Sequence, residues 1–178
     1  HHHRIRGAVT ARTQQRLGHH RREAPGHPEG HVEGVAARHR HHRIEAAIDI
    51  PLLHIADAVA AAVLEEGIRT VGLLGTRFTM DGPFYRERLS LRHALEVLVP
   101  PVDQRTIVDE VIFSELVKGE ISETSRLRLS EVITDLAGRG AEGVILGCTE
   151  IGLLIRPSDA AIPVFDSAVI HARQAAEL

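Results

Sequence analysis

The chain holds a single cysteine, Cys148, placed where the apolar run Val144, Ile145 and Leu146 gives way to Gly147, Cys148, Thr149 and Glu150. A thiol in apolar surroundings is a small core residue, whereas a thiol at a strand-to-helix turn is a nucleophile or a base. The second reading needs a strand that ends at Gly147 and a turn or helix that begins at Thr149 to Ile151. The stretch "VILGCTEIGLL" (144–154) predicts that arrangement. A helix start would depress the thiol pKa, so Cys148 is expected to be partly exposed at a cleft beside Thr76 and to alkylate faster than a model thiol.

The elements that must position Cys148 alternate along the chain from Ile44 onward. "DIPLLHI" (49–55), "TVGLLG" (70–75), "EVLVP" (96–100), "GVILG" (143–147) and "AIPVFD" (161–166) read as strands. Helices are predicted for "ADAVAAAVLEEG" (56–67), closed by Gly67, and for "FYRERLSLRHAL" (84–95). A third helix over 103–119, with Asp103 as N-cap, places Ile107, Val111, Ile112 and Leu116 on one face. A fourth over 123–140 does the same with Leu129, Val132, Ile133 and Leu136. Strands that are apolar throughout suit a sheet covered on both faces, so the fold class is α/β with a mainly parallel sheet flanked by helices.

Residues 1–43 have a different texture. They carry nine Arg against three Glu and ten of the thirteen His, while the remainder carries twelve basic and twenty-one acidic residues. With few large aliphatic side chains this segment builds no core and reads as a disordered N-terminus. Its histidines have no regular ligand spacing and no supporting Cys or carboxylate pattern, so no metal site is assigned; a metal-binding tail, a tag with linker and a misread stretch of gene compete. Nucleic acid is not expected as a partner, because the segment lacks aromatics for stacking and the rest is acidic. One cysteine excludes an intrachain disulfide, no apolar run is long enough to span a bilayer, and no signal peptide is legible. No membrane partner is expected, and the cytoplasm is the expected location.

"DIPLLHIADA" (49–58) and "AIPVFDSAVI" (161–170) share an Ile-Pro step into a short apolar strand, a polar residue and a helix start. They read as equivalent pieces of two related halves. Cys148 precedes Ile162 by 14 residues, which places its counterpart near residue 36, where "GVAARHRHH" offers neither strand nor cysteine.

The segments "VGLLGTRFTM" (71–80), "ILGCTEIGLLI" (145–155) and "IPVFDSAVIHA" (162–172), in that order and spacing, resemble the aspartate/glutamate racemase family. The resemblance covers about residues 44–178, leaving 1–43 as a non-family segment. It implies two similar α/β lobes, each supplying a catalytic cysteine to a substrate held between them. This chain then comprises one racemase lobe plus the remnant of a second, with the N-terminal lobe missing or frameshifted. An abrupt change from His/Arg/Gly/Pro-rich text to family sequence is what an out-of-phase reading of a GC-rich gene produces.

The implied activity is cofactor-independent racemisation of an amino acid, aspartate or glutamate, with Cys148 moving a proton at Cα. Removal and return on opposite faces need two bases, so an absent first cysteine predicts impaired racemisation. Thr76, Thr79 and Thr149, in loops at the C-terminal ends of strands, are candidates to bind the substrate carboxylates, with local capping as their alternative role. Lys118 matches the family's substrate-binding lysine in its distance before the second cysteine. Glu150 supports the thiol, pairs with the substrate ammonium or only offsets the helix dipole. His54 and His171, in corresponding positions after the two Ile-Pro strands, are read as structural. A homodimer is expected, since the family tends to dimerise. Two alternatives stand beside this reading, a one-cysteine decarboxylase of the same superfamily and a non-enzymatic His-rich metal-binding protein.

Overall fold

The computed structural model describes residues 47, 49, 50 and 52–177. The expectations for residues 1–43, and Pro51 of the first Ile-Pro pair, lie outside the described residues. Four strands, β1 (Thr70–Leu74), β2 (Glu96–Leu98), β3 (Gly143–Leu146) and β4 (Val164–Asp166), form one parallel sheet in the order β2-β1-β3-β4. Seven helices accompany them among the described residues: α1 (Ile55–Glu65), α2 (Arg77–Asp81), α3 (Pro83–His93), α4 (Val102–Ser114), α5 (Glu123–Gly138), α6 (Ile151–Leu154) and α7 (Ser167–Ala176).

The two-residue period of the strands divides the core into two layers. Leu74, Val144 and Leu146 face Val108, Ile112, Leu129, Ile133 and Leu136 of α4 and α5. Val71, Leu73 and Ile145 face Val59, Val63 and Leu89 of α1 and α3. A sheet covered on both sides explains why β1 and β3 are continuously apolar. Gly72 lets α5 approach the middle of the sheet, because a Cβ there would lie 2.9 Å from Leu136 Cδ1.

The helices begin and end for local reasons. Ser122 caps α5 by accepting a hydrogen bond from the Ser125 N–H, and the stripe Leu129, Val132, Ile133 and Leu136 is wholly buried. Gly67, at φ 74, reverses the chain after α1. Asp103 is not an N-cap: α4 starts one residue earlier, with Pro101 in the cap position and no side-chain cap. Proline's fixed φ suits that entry, and Asp103 lies in the first turn, where its charge opposes the helix dipole. The predicted 103–119 helix is also interrupted. Glu115 leaves helical geometry and accepts a hydrogen bond from Ser125 Oγ at 2.8 Å, after which Leu116–Lys118 form a separate 3-10 turn.

The segment 49–55 forms no strand among its described residues; residues 52–54 are irregular and α1 starts at Ile55. Apolar content suits a strand only where a neighbouring strand offers backbone partners, and here the next polar side chain serves as a cap instead. His54 Nδ1 accepts from the Ala56 N–H at 3.1 Å. In the second half Asp166 does the same for α7, accepting from the Ala168 and Val169 N–H groups. The counterpart of His54 is therefore Asp166, not His171. The two capped helices pack against each other, and His171 reaches back to the Leu53 carbonyl at 3.2 Å. No helix among the described residues is long and apolar enough to cross a membrane.

Candidate active site

Three parallel strands, β1, β3 and β4, end side by side. Leu74 pairs with Leu146, and Leu146 with Asp166, so the next residues of each strand emerge together at the C-terminal edge, where open α/β sheets bind ligands. The exits are tied to one another. The Gly147 N–H donates to the Leu74 carbonyl at 2.6 Å, and Ser167 Oγ donates to the Leu146 carbonyl.

After β1, Gly75 leads to Thr76, the N-cap of α2. Thr76 Oγ1 accepts from the Thr79 N–H at 3.3 Å, and the two hydroxyls lie 3.2 Å apart. Thr79 is buried and Thr76 half-buried. From α4, Asp109 Oδ1 accepts the Arg77 N–H at 2.7 Å, and Asp81 pairs with Arg105 of the same helix. Two carboxylates therefore fasten α2 to α4. Asp109 was not legible as a site residue, since it lies 32 residues from Arg77 in sequence and only the packing of α2 on α4 brings the two together.

After β3, Gly147 packs so closely that a Cβ would lie 3.2 Å from Thr79 Cγ2 and 3.0 Å from the Leu74 carbonyl oxygen. Cys148 is half-buried, and its Sγ–H donates to Glu150 Oε2 at 2.9 Å. The exposed Thr149 hydroxyl donates to the same oxygen at 2.7 Å. Nearby, α6 passes against Asp166, because a Cβ on Gly152 would collide with Asp166 Oδ2. Asp166 is a second residue that the sequence reading missed, although an Asp closing a strand before Ser-Ala is a recognisable N-cap signal.

The thiol pKa runs opposite to the expectation. Burial, followed by the hydrogen bond to Glu150, pushes Cys148 up to about 11, with the negative charges of Glu150 and Asp109 acting in the same direction. A four-residue α6 supplies too small a dipole to compete. Glu150 itself is held below its ordinary value by the hydrogen bonds from Cys148 and Thr149. The expected depression of the thiol pKa is thus reversed in direction, and slow alkylation is the outcome to expect from it. A groove of about 500 Å³ lies elsewhere, beside the edge strand β2, lined by Pro83, Arg86, Ser90 and Val97 among others, with none of the predicted site residues in it.

Thr76, Thr79, Cys148, Thr149 and Glu150 thus come together at one sheet edge. Lys118 is exposed on the 3-10 turn that packs against α6, and no hydrogen bond or ion pair among the described residues joins it to Cys148. No group of three or more His, Cys, Asp or Glu side chains among the described residues is arranged to hold a metal ion.

A sequence profile for Asp/Glu/hydantoin racemases matches residues 33–175. A crystal structure from Yersinia pestis assigned to the Asp/Glu racemases shares 47% identity with a TM-score of 0.74, over 83% of this chain and 62% of that one. An aspartate racemase homologue from Pyrococcus horikoshii shares 35% identity with a TM-score of 0.68 over the same shares. A glutamate racemase from Francisella tularensis, in complex with D-glutamate, shares the fold at 17% identity and a TM-score of 0.56, over 81% of this chain and 53% of that one. The chain spans about three fifths of the length of the first two. With residues 33–175 matched, the chain belongs to the Asp/Glu/hydantoin racemase family.

Proposed function

We propose that the turn after β3 supplies one face of an amino-acid racemase site, with Cys148 exchanging a proton with the substrate Cα and with no cofactor. The observation that carries this reading is the position of the sole cysteine at the C-terminal end of a central parallel strand, between the Thr76 turn and Asp166. A dicarboxylic amino acid, aspartate or glutamate, is the proposed substrate. Its carboxylates are met by the hydroxyls of Thr76 and Thr149 and by Lys118, while buried Thr79 acts by holding Thr76. The likeness to an aspartate racemase homologue supports that substrate class.

With one thiol in the chain, racemisation is weak or absent, and exchange on a single face is what survives. Residues 1–32, upstream of the family match, we read as an out-of-phase stretch of the gene; the family profile takes in residues 33–43 as well as the region from residue 44. Another frame of the same DNA then encodes an apolar strand and Cys-Thr upstream of Ile50; a frame interrupted by stop codons would contradict this.

The activity test is incubation with aspartate or glutamate in D₂O, with Cα deuterium followed by mass spectrometry and chirality followed separately. Deuterium enters without racemisation, and Cys148→Ser abolishes its entry. Exchange that persists in Cys148→Ser would overturn the assignment. A single-cysteine decarboxylase is the second reading, favoured by a thiol that rests protonated, and it predicts CO₂ release from an arylmalonate instead.

A further inference from the structure

Glu150 Oε2 accepts two hydrogen bonds at once, from the Cys148 thiol at 2.9 Å and from the Thr149 hydroxyl at 2.7 Å. The carboxylate is the acceptor in both, so sulfur must carry its proton for the contact to exist. Thr149 is exposed, and its bond directs Oε2 toward the sulfur. The charged groups facing the turn are unevenly distributed. Asp109 approaches from α4 with its carboxylate on the Arg77 N–H, and Asp166 approaches from the start of α7 against Gly152. Arg77 and Lys118, on the α2 turn and the 3-10 turn, are both exposed, and neither forms an ion pair among the described residues. The charges that act on the thiol, Glu150 and Asp109, are negative, and they agree in direction with burial in keeping it neutral.

We infer that Glu150 is a positioning residue that holds Cys148 as a hydrogen-bond-donating thiol, so that Cys148 enters turnover as the proton donor on its face of the substrate. This rests on the racemase reading for its place in turnover, but the Cys148–Glu150 contact itself does not. In the donating step the electron pair of a Cα carbanion takes the proton, a C–H bond forms and the S–H bond breaks, leaving a thiolate. That thiolate stands beside the Glu150 carboxylate, and the repulsion favours its recovery of a proton from solvent or from the Cα of the other enantiomer. The turn is biased toward giving a proton; with one thiol in the chain, exchange on its face starts from the small thiolate fraction of Cys148 and is slow.

The test uses the full 178-residue chain, whose single cysteine makes alkylation by iodoacetamide unambiguous. The pH midpoint of the alkylation rate is measured for the unmodified chain, Glu150→Gln, Glu150→Asp and Asp109→Asn. Glu150→Gln lowers the midpoint by about one unit or more, a tenfold change in the ionisation constant. Glu150→Asp stays nearer the unmodified chain, and Asp109→Asn shifts the midpoint less than Glu150→Gln does. A Glu150→Gln midpoint equal to that of the unmodified chain would overturn the inference. The S–H stretch of the unmodified chain needs no variant: a band displaced from that of the denatured chain at pH 7 supports the contact, and a missing or undisplaced band contradicts it. If the racemase reading fails, no deuterium enters the substrate and these thiol measurements are unaffected. If only Glu150's role fails, exchange occurs and the midpoint does not move.

Discussion

The turns that leave β1 and β3 are neighbours at the same end of the same sheet, each introduced by glycine and each carrying threonine. They differ in where their polar groups point their hydrogen bonds. After β1, Thr76 and Thr79 satisfy one another and Asp109 holds the Arg77 N–H, so the turn's polar groups are largely spent on its own geometry. After β3, the thiol and the Thr149 hydroxyl converge on one solvent-facing carboxylate, and neither bond closes a helix. The first turn is braced by α4; the second presents a thiol proton to its own carboxylate. Two equivalent positions in one fold thus differ in what anchors them: the first turn is tied to α4, while the hydrogen bonds of the second stay within the turn.

If the two turns divide in this way, the strands leading into them matter equally and the turns themselves do not. Leu74→Ala and Leu146→Ala remove the last wholly buried side chain of β1 and of β3, and each should cost about 3 kcal/mol in urea unfolding. A large difference between them would mean that one strand is peripheral. Next in size is Gly147→Ala, where the two turns meet. The added Cβ would lie 3.0 Å from the Leu74 oxygen and 3.1 Å from Leu73 Cδ1, for a loss of about 2 kcal/mol by the same measurement.

A smaller effect separates the turns directly. Thr76→Ala removes the α2 cap and should cost about 1 kcal/mol, while Thr149→Ala at an exposed position should stay within about 0.5 kcal/mol. Equal losses would erase the difference between the two turns. The remaining effect is on pH dependence. The folded thiol pKa is raised to about 11 from 9.0, so the stability tied to a neutral thiol is whole below pH 9 and declines as pH rises through 11. Cys148→Ser should flatten that part of a thermal-unfolding series.

Much of the fold was legible in the sequence, for physical reasons that differ by residue. β1 and β3 declared themselves because a strand buried on both faces is apolar at every position, and α5 because Leu129, Val132, Ile133 and Leu136 repeat with the helical period. The segment 49–55 has the same apolar content, but its partner strand is a tertiary fact that content does not encode. Cys148 could be placed at a strand exit from local pattern alone. Its pKa could not, because a helix start is visible in sequence, whereas the depth of burial and the bond to Glu150 are not. Asp109 stayed hidden for the same reason, since it enters the site through the packing of α4.

Whether the turn after β3 performs the proton chemistry while the turn after β1 only holds the substrate is decided by comparing Cys148→Ser with Thr76→Val in the Cα deuterium-exchange assay with aspartate. Cys148→Ser is predicted to remove exchange at every substrate concentration. Thr76→Val is predicted to raise the KM while most of kcat remains. Exchange that survives Cys148→Ser and disappears in Thr76→Val would contradict that division of labour, as would an unmodified chain that incorporates no deuterium.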